Sequence, residues 1–152
     1  MQTILCATRG GLASQVTQKA AIALARSTDL PLVYLFVVNT EFMQRTTDLS
    51  HTQDAARELT KLGEFILAVA VERAEVEGVK AEGIVRQGKW QDVLLAVTAE
   101  ICPRYVVLGS PGLDSLQDPE AARHIQERAA QIRNVCGSDI VIVLPSGEQK
   151  HL

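Results

Sequence analysis

Hydrophobic and polar positions follow two regimes along this chain. Short continuous apolar runs alternate with longer segments in which apolar residues recur every three or four positions. Thr3–Ala7 is the first run and reads as a strand covered on both faces. Ser14 is an N-cap for a helix in which Val16, Ala20, Ala23, Leu24 and Ser27 share a face, and Asp29-Leu30-Pro31 breaks that helix. Leu32–Val38 is a second buried strand, and Asn39–Thr52 is polar without a period. From Asp54 to Glu77 the pattern is helical, with Leu59, Leu62, Ile66, Val69, Arg73 and Val76 spaced by three and four, and Gly78 as C-cap.

Lys80–Val85 reads as a third strand whose mixed charged and apolar residues suit a sheet edge. Trp90–Ile101 is a helix with Val93, Leu94, Val97 and Ile101 inward, closed by Pro103. Tyr105–Leu108 is the fourth strand, followed by the polar loop Pro111–Asp118. Pro119, after Asp118 as cap, opens a fourth helix with Ala122, Ile125, Ala129, Ile132 and Cys136 inward. Asp139–Leu144 is the fifth strand, Pro145 stops it, and Ser146–Leu152 reads as a frayed polar tail. The organisation is one α/β domain over residues 1–146 with a polar tail over 147–152.

Strictly alternating strands and helices with right-handed crossovers predict a doubly wound, five-stranded parallel sheet with helices on both faces. Strand order 3-2-1-4-5 places the first and fourth strands side by side at the switch point, where such sheets bind ligands beyond the strands' carboxyl ends. Both of these strands empty into glycine turns: Arg9-Gly10-Gly11 after the first, and Gly109-Ser110-Pro111-Gly112 after the fourth. Glycine lets a ligand approach the backbone and its N–H groups closely.

Composition narrows the ligand. The chain has 152 residues, 47% hydrophobic and 22% charged, so it can bury a core without metals or cross-links. A net charge of −3 and 4% aromatics argue against DNA or RNA as partner. No apolar run is long enough for a membrane helix, and no secretory leader is evident, so the expected setting is cytoplasmic. Cys6, Cys102 and Cys136 show no paired spacing, and with the scattered His51, His124 and His151 they suggest no metal site. The expectation is therefore buried or half-buried thiols, Cys6 in a strand and the other two at helix ends.

Other nucleotide and catalytic motifs fail. Ser110-Pro111-Gly112-Leu113-Asp114-Ser115 is similar to the pyrophosphate loop of adenylating enzymes, but it follows the wrong strand and proline removes a donor. There is no dinucleotide fingerprint, no P-loop and no nucleophile elbow for Ser110 and His124.

Four segments in order carry a family resemblance. They are Ile4-Leu5-Cys6-Ala7-Thr8-Arg9-Gly10-Gly11, Val85-Arg86-Gln87-Gly88-Lys89-Trp90, Tyr105-Val106-Val107-Leu108-Gly109-Ser110-Pro111-Gly112 and Cys136-Gly137-Ser138-Asp139-Ile140-Val141-Ile142-Val143. Together they resemble the universal stress protein family over essentially the whole chain. The resemblance implies a stress-response binding or regulatory module, a homodimer, and ATP, AMP or another adenine nucleotide as ligand. It carries Ala7, Thr8, Arg9, Val38, Leu108, Gly109, Ser110, Gly112 and Arg123 over as contact residues. The chain also departs from the family pattern. Arg9 stands where nucleotide-binding members place an Asp, and the spacer 113–121 leads to Ala122-Arg123 in place of Gly-Ser or Gly-Thr. Alternatives are a ligand-free dimeric interaction protein and a slow ATP hydrolase or adenylate-transferring enzyme, for which no catalytic set is evident.

The fifth strand also bears on assembly. Ile140 to Leu144 are all apolar and carry no Lys or Pro against edge pairing, so residues 139–144 are expected to meet a second copy in a homodimer. The alternative is that the tail Ser146–Leu152 folds back over this strand.

Overall fold

A computed structural model of the protein describes residues 2–8, 11–39, 49–109 and 119–152. The strands are β1 (Ile4–Ala7), β2 (Leu32–Val38), β3 (Ala81–Gln87), β4 (Tyr105–Gly109), β5 (Asp139–Val143) and β6 (Gln149–His151). The helices are α1 (Gly11–Thr28), α2 (Leu49–Val76), α3 (Trp90–Ile101) and α4 (Pro119–Cys136). They build one sheet in the order β3-β2-β1-β4-β5-β6. The first five strands in that row are parallel, with Ile4 opposite Leu32 on one side and Tyr105 on the other.

The period of two along each strand sends alternate side chains to two cores. Ile4, Cys6, Leu32, Tyr34, Val107 and Val141 face α1 and α2. Leu5, Ala7, Val33, Leu35, Val106 and Ile140 face α3 and α4. Both faces are covered, which is why the central strands read as unbroken apolar runs.

The helices covering the first core sit differently from the sequence expectation. In α1 the buried residues among those described are Thr17, Gln18, Ala21, Ile22 and Ala25, while Ala23 and Ser27 are exposed. In α2, which starts at Leu49 and not near Asp54, Ala56, Gly63, Leu67, Ala70 and Ala74 are buried, while Leu62, Arg73 and Val76 are exposed. Small residues set this rotation. A Cβ on Gly63 would lie 2.5 Å from the Phe36 ring, so the helix backbone rests directly on the sheet. Leu67 still points into the contact, while Leu62 and Val76 flank it.

Among the described residues the sheet has six strands, not five. The C-terminal segment turns back after Leu144, with Leu144 N–H donating to Glu148 O at 2.8 Å and Gly147 adopting φ +92°. β6 then pairs antiparallel with β5, Val143 opposite Gln149 and Val141 opposite His151, and Leu152 packs against the second core. Residues 149–151 are thus a strand and not a frayed tail, and β5 is not an open edge. The edge now belongs to a short polar strand carrying Lys150, a usual guard against pairing. The expectation of a dimer through residues 139–144 loses the premise on which it stood.

Cys102 and Cys136 also differ from the expectation of free thiols. They form a disulfide with Cα atoms 5.5 Å apart, and Cys6 is the free, buried cysteine. Spacing along the chain does not reveal the pair, because it arises where the ends of α3 and α4 come together.

Candidate functional site

The switch point lies between β1 and β4, where Ala7 and Thr8 stand beside Leu108 and Gly109. Thr8 N–H donates to Leu35 O at 2.9 Å, so the ladder to β2 runs one residue beyond β1. β2 continues to Val38, whose carbonyl accepts from Gly88 N–H at 3.0 Å. Ala7, Thr8, Val38 and Leu108 are buried, whereas Gly109 is exposed. The strand end therefore offers backbone at Gly109 above a packed floor.

That floor is polar on the α1 side. Gln18 Nε2 donates to Thr8 Oγ1 at 2.9 Å, and Arg73 Nη1 donates to Gln18 Oε1 at 3.4 Å. Arg73 has only donors, which fixes the Gln18 amide with its oxygen toward Arg73 and its NH2 toward Thr8. The Thr8 hydroxyl accepts in this bond and keeps its own proton for another acceptor. Thr17, the neighbour of Gln18 on α1, is buried under Gly109, and a Cβ on Gly109 would lie 2.8 Å from Thr17 Oγ1. Any larger residue there would have to push Thr17 aside. Thr17 and Gln18 cannot be read from the sequence, because nothing in the helical pattern marks which polar residues of α1 turn inward.

Trp90, at the start of α3, is half-buried between two hollows at this end of the sheet. One, of about 330 Å³, is bounded by Phe36, Val37, Asn39 and Trp90. The other, of about 60 Å³, lies under Leu108 and Gly109 and is bounded by Trp90, Ile125 and Arg128 among others. A larger groove of about 680 Å³ runs between α1 and α2, past Ile22, Val69 and Val76. It touches no strand end, and the Arg26–Glu77 ion pair at 3.1 Å lies along it, so the switch point remains the better candidate for a small ligand.

Of the residues expected at the site, the structure brings Ala7, Thr8, Val38, Leu108 and Gly109 to one end of the sheet. Arg123 lies exposed on α4, with Nε 3.7 Å from the Glu127 carboxylate. Arg9, Ser110 and Gly112 lie outside the described residues. At the start of α4, Pro119 has no N–H, and Glu120 puts a carboxylate in the first turn. Both weaken that helix end as an anion site, because phosphate needs those donors and that positive dipole end. Among the described residues, no group of three His, Cys, Asp or Glu is placed to hold a metal. Among them also, no helix is long and apolar enough to cross a membrane.

Comparison with known proteins agrees with this architecture. The model of the universal stress protein family matches residues 1–132. A universal stress protein in complex with cAMP superposes with a TM-score of 0.64 at 20% identity, covering 93% of this chain and 96% of that one. A family protein from Arabidopsis thaliana with AMP bound gives 0.65 at 15% identity, covering 95% and 92%. A universal stress protein from Archaeoglobus fulgidus in complex with dAMP gives 0.56 at 17% identity, covering 93% and 97%. Among curated proteins, none matches the sequence.

Proposed function

The chain belongs to the universal stress protein family, and from that premise we propose that it binds an adenine mononucleotide at the carboxyl ends of β1 and β4. The observation that carries this is the pairing of exposed Gly109 backbone with the Thr8–Gln18 hydrogen bond across the switch point. Relatives hold cAMP, AMP and dAMP, which supplies the ligand class. The nucleoside would rest against Ala7, Thr8 and Val38, with the Thr8 hydroxyl as donor and Leu108 and Gly109 supplying backbone contacts. Arg9, Ser110 and Gly112 are proposed contacts from the sequence alone.

A single phosphate suits this chain better than three. The family's Gly-Ser or Gly-Thr is Ala122-Arg123 here, Pro119 lacks a donor, and Glu120 repels added negative charge at the helix start. The protein is proposed as a binding or regulatory module of the cytoplasm. The proposed unit is the single chain, since a second copy on β5 would have to displace β6.

Thermal melts with AMP, cAMP and ATP test this. A ligand at 100 times its Kd stabilises by about 2.7 kcal/mol, a rise of roughly 5–11 °C for a chain of this size. AMP or cAMP is expected to shift Tm more than ATP at equal concentration. Glu120→Gln should strengthen ATP binding by about two- to five-fold. No shift with any adenine nucleotide would favour the ligand-free interaction protein.

A further inference from the structure

We propose that Cys102 and Cys136 are a reversible dithiol–disulfide pair, a site of thiol–disulfide exchange with small-molecule disulfides that opens and closes while the fold persists. This stands apart from the nucleotide proposal. Cys102 caps the C-terminal end of α3 and Cys136 ends α4, at the opposite ends of those helices from the crevice.

Three observations support it. First, the neighbouring backbone holds the cysteines together without the bond. Ser138 Oγ donates to Pro103 O at 2.6 Å, Asp139 N–H donates to Arg104 O at 3.0 Å, and the Arg104 and Asp139 side chains form an ion pair. The α3–α4 contact is closed by Val93, Leu94 and Val97 with Ala129 and Ile132, all buried. Opening the bond leaves these intact, so the two thiols stay within reach and re-close readily.

Second, both oxidation states find a place for the sulfur. Cys136 Sγ lies 3.8 Å from the Thr98 carbonyl, an acceptor that only the reduced S–H can use. Third, Cys102 is exposed and sits in the left-handed region at φ +46°, ψ +62° as the C-cap of α3. Glycine or asparagine usually takes that place, and a side chain held there against its preference is a mark of switch positions.

Closure begins when the Cys102 thiolate attacks one sulfur of a disulfide RSSR. A Cys102–S–R mixed disulfide forms and one RS⁻ leaves. The Cys136 thiolate then attacks Cys102 Sγ, the Cys102–Cys136 bond forms and the second RS⁻ leaves. Two cysteine thiols are oxidised, one RSSR is reduced to two RSH, and the two cysteine protons end on them. A small dithiol reverses the sequence. Cys6 does not interfere, because it is fully buried and its thiol is pushed up to about 12.

The test is a thiol count on the native full chain, with circular dichroism and Tm, in glutathione and dithiothreitol buffers. Dithiothreitol should expose two reactive thiols under native conditions, with the far-ultraviolet spectrum kept and Tm lower by on the order of 10 °C. Oxidised glutathione should restore the bond, and Cys136→Ser should trap glutathione on Cys102. The double variant Cys102→Ser/Cys136→Ser should fold and match the reduced protein in Tm. Thiols that appear only on global unfolding would overturn the proposal, as would a double variant that does not fold. Stable mixed or intermolecular disulfides in the unmodified chain would also overturn it.

Discussion

The side-chain amide of Gln18 donates to the hydroxyl of Thr8 at 2.9 Å, and both side chains are buried beneath the carboxyl end of β1. This bond ties the first strand to the first helix directly under the proposed ligand. Thr8→Val keeps the shape but leaves a buried amide donor without its acceptor, and should lower stability by about 1–3 kcal/mol. Gln18→Leu in the same background should recover part of that loss, with a coupling of about 0.5–3 kcal/mol in urea unfolding. Additive effects would mean the bond contributes nothing specific.

Gly109 meets Thr17 from the other strand of the crevice. Gly109→Ala places a Cβ 2.8 Å from Thr17 Oγ1, and the buried threonine has little room to yield. The expected loss is about 1–3 kcal/mol, the usual scale of overpacking. Thr17→Ala combined with Gly109→Ala should relieve the clash and fall below the sum of the single losses. Equal losses in the single and double variants would show that the clash is not the cause.

Stability should fall at alkaline pH. Burial pushes the Cys6 thiol up to about 12, and an unfolded thiol titrates near 8.5. Between those values the folded chain holds a proton that the unfolded chain has lost. The stabilisation is thus complete below about pH 8.5 and declines as pH rises toward 12. Tyr34 is shifted upward as well, by burial first and then by Cys6, with Arg73 opposing, and it steepens the fall above about pH 10. Cys6→Ala should flatten the slope of urea-unfolding free energy between pH 8.5 and 10. Tyr34→Phe should flatten it above 10 and leave neutral-pH stability unchanged or raised, because the buried Tyr34 hydroxyl has no hydrogen-bond partner among the described residues. An unchanged slope in both variants would contradict this.

β6 should control assembly. Removing residues 146–152 uncovers β5, whose Asp139-Ile140-Val141-Ile142-Val143 carries no proline or lysine. Light scattering is expected to find the full chain monomeric at micromolar concentration and the shortened chain dimeric or aggregated. A shortened chain that stays monomeric would mean β6 is not what keeps β5 from pairing.

The strand runs were legible because burial on both faces removes polar residues, so Leu32–Val38 declares itself. The switch point followed from topology, and with it Thr8 and Gly109. Helix rotation was not legible in α1 and α2, since close packing by Gly63 and the alanines outweighs the stripe of larger residues at Leu62, Val69 and Val76. β6 escaped because Gln149-Lys150-His151 has no apolar pattern. It is held by a turn and a ladder, with its side chains in water. The Cys102–Cys136 bond escaped because it is a contact between helix ends 34 residues apart. Thr17 and Gln18 escaped for the same reason as the rotation of α1, and they are the part of the proposed site that only the fold reveals.

Backbone amide NMR during an AMP titration decides whether an adenine mononucleotide lies across the ends of β1 and β4, as proposed. Saturable shifts are expected, largest at Thr8, Val38 and Gly109, with a smaller response in the Gln18 side-chain amide. Saturable shifts confined to the groove between α1 and α2, or no saturable shifts at millimolar AMP, would contradict it.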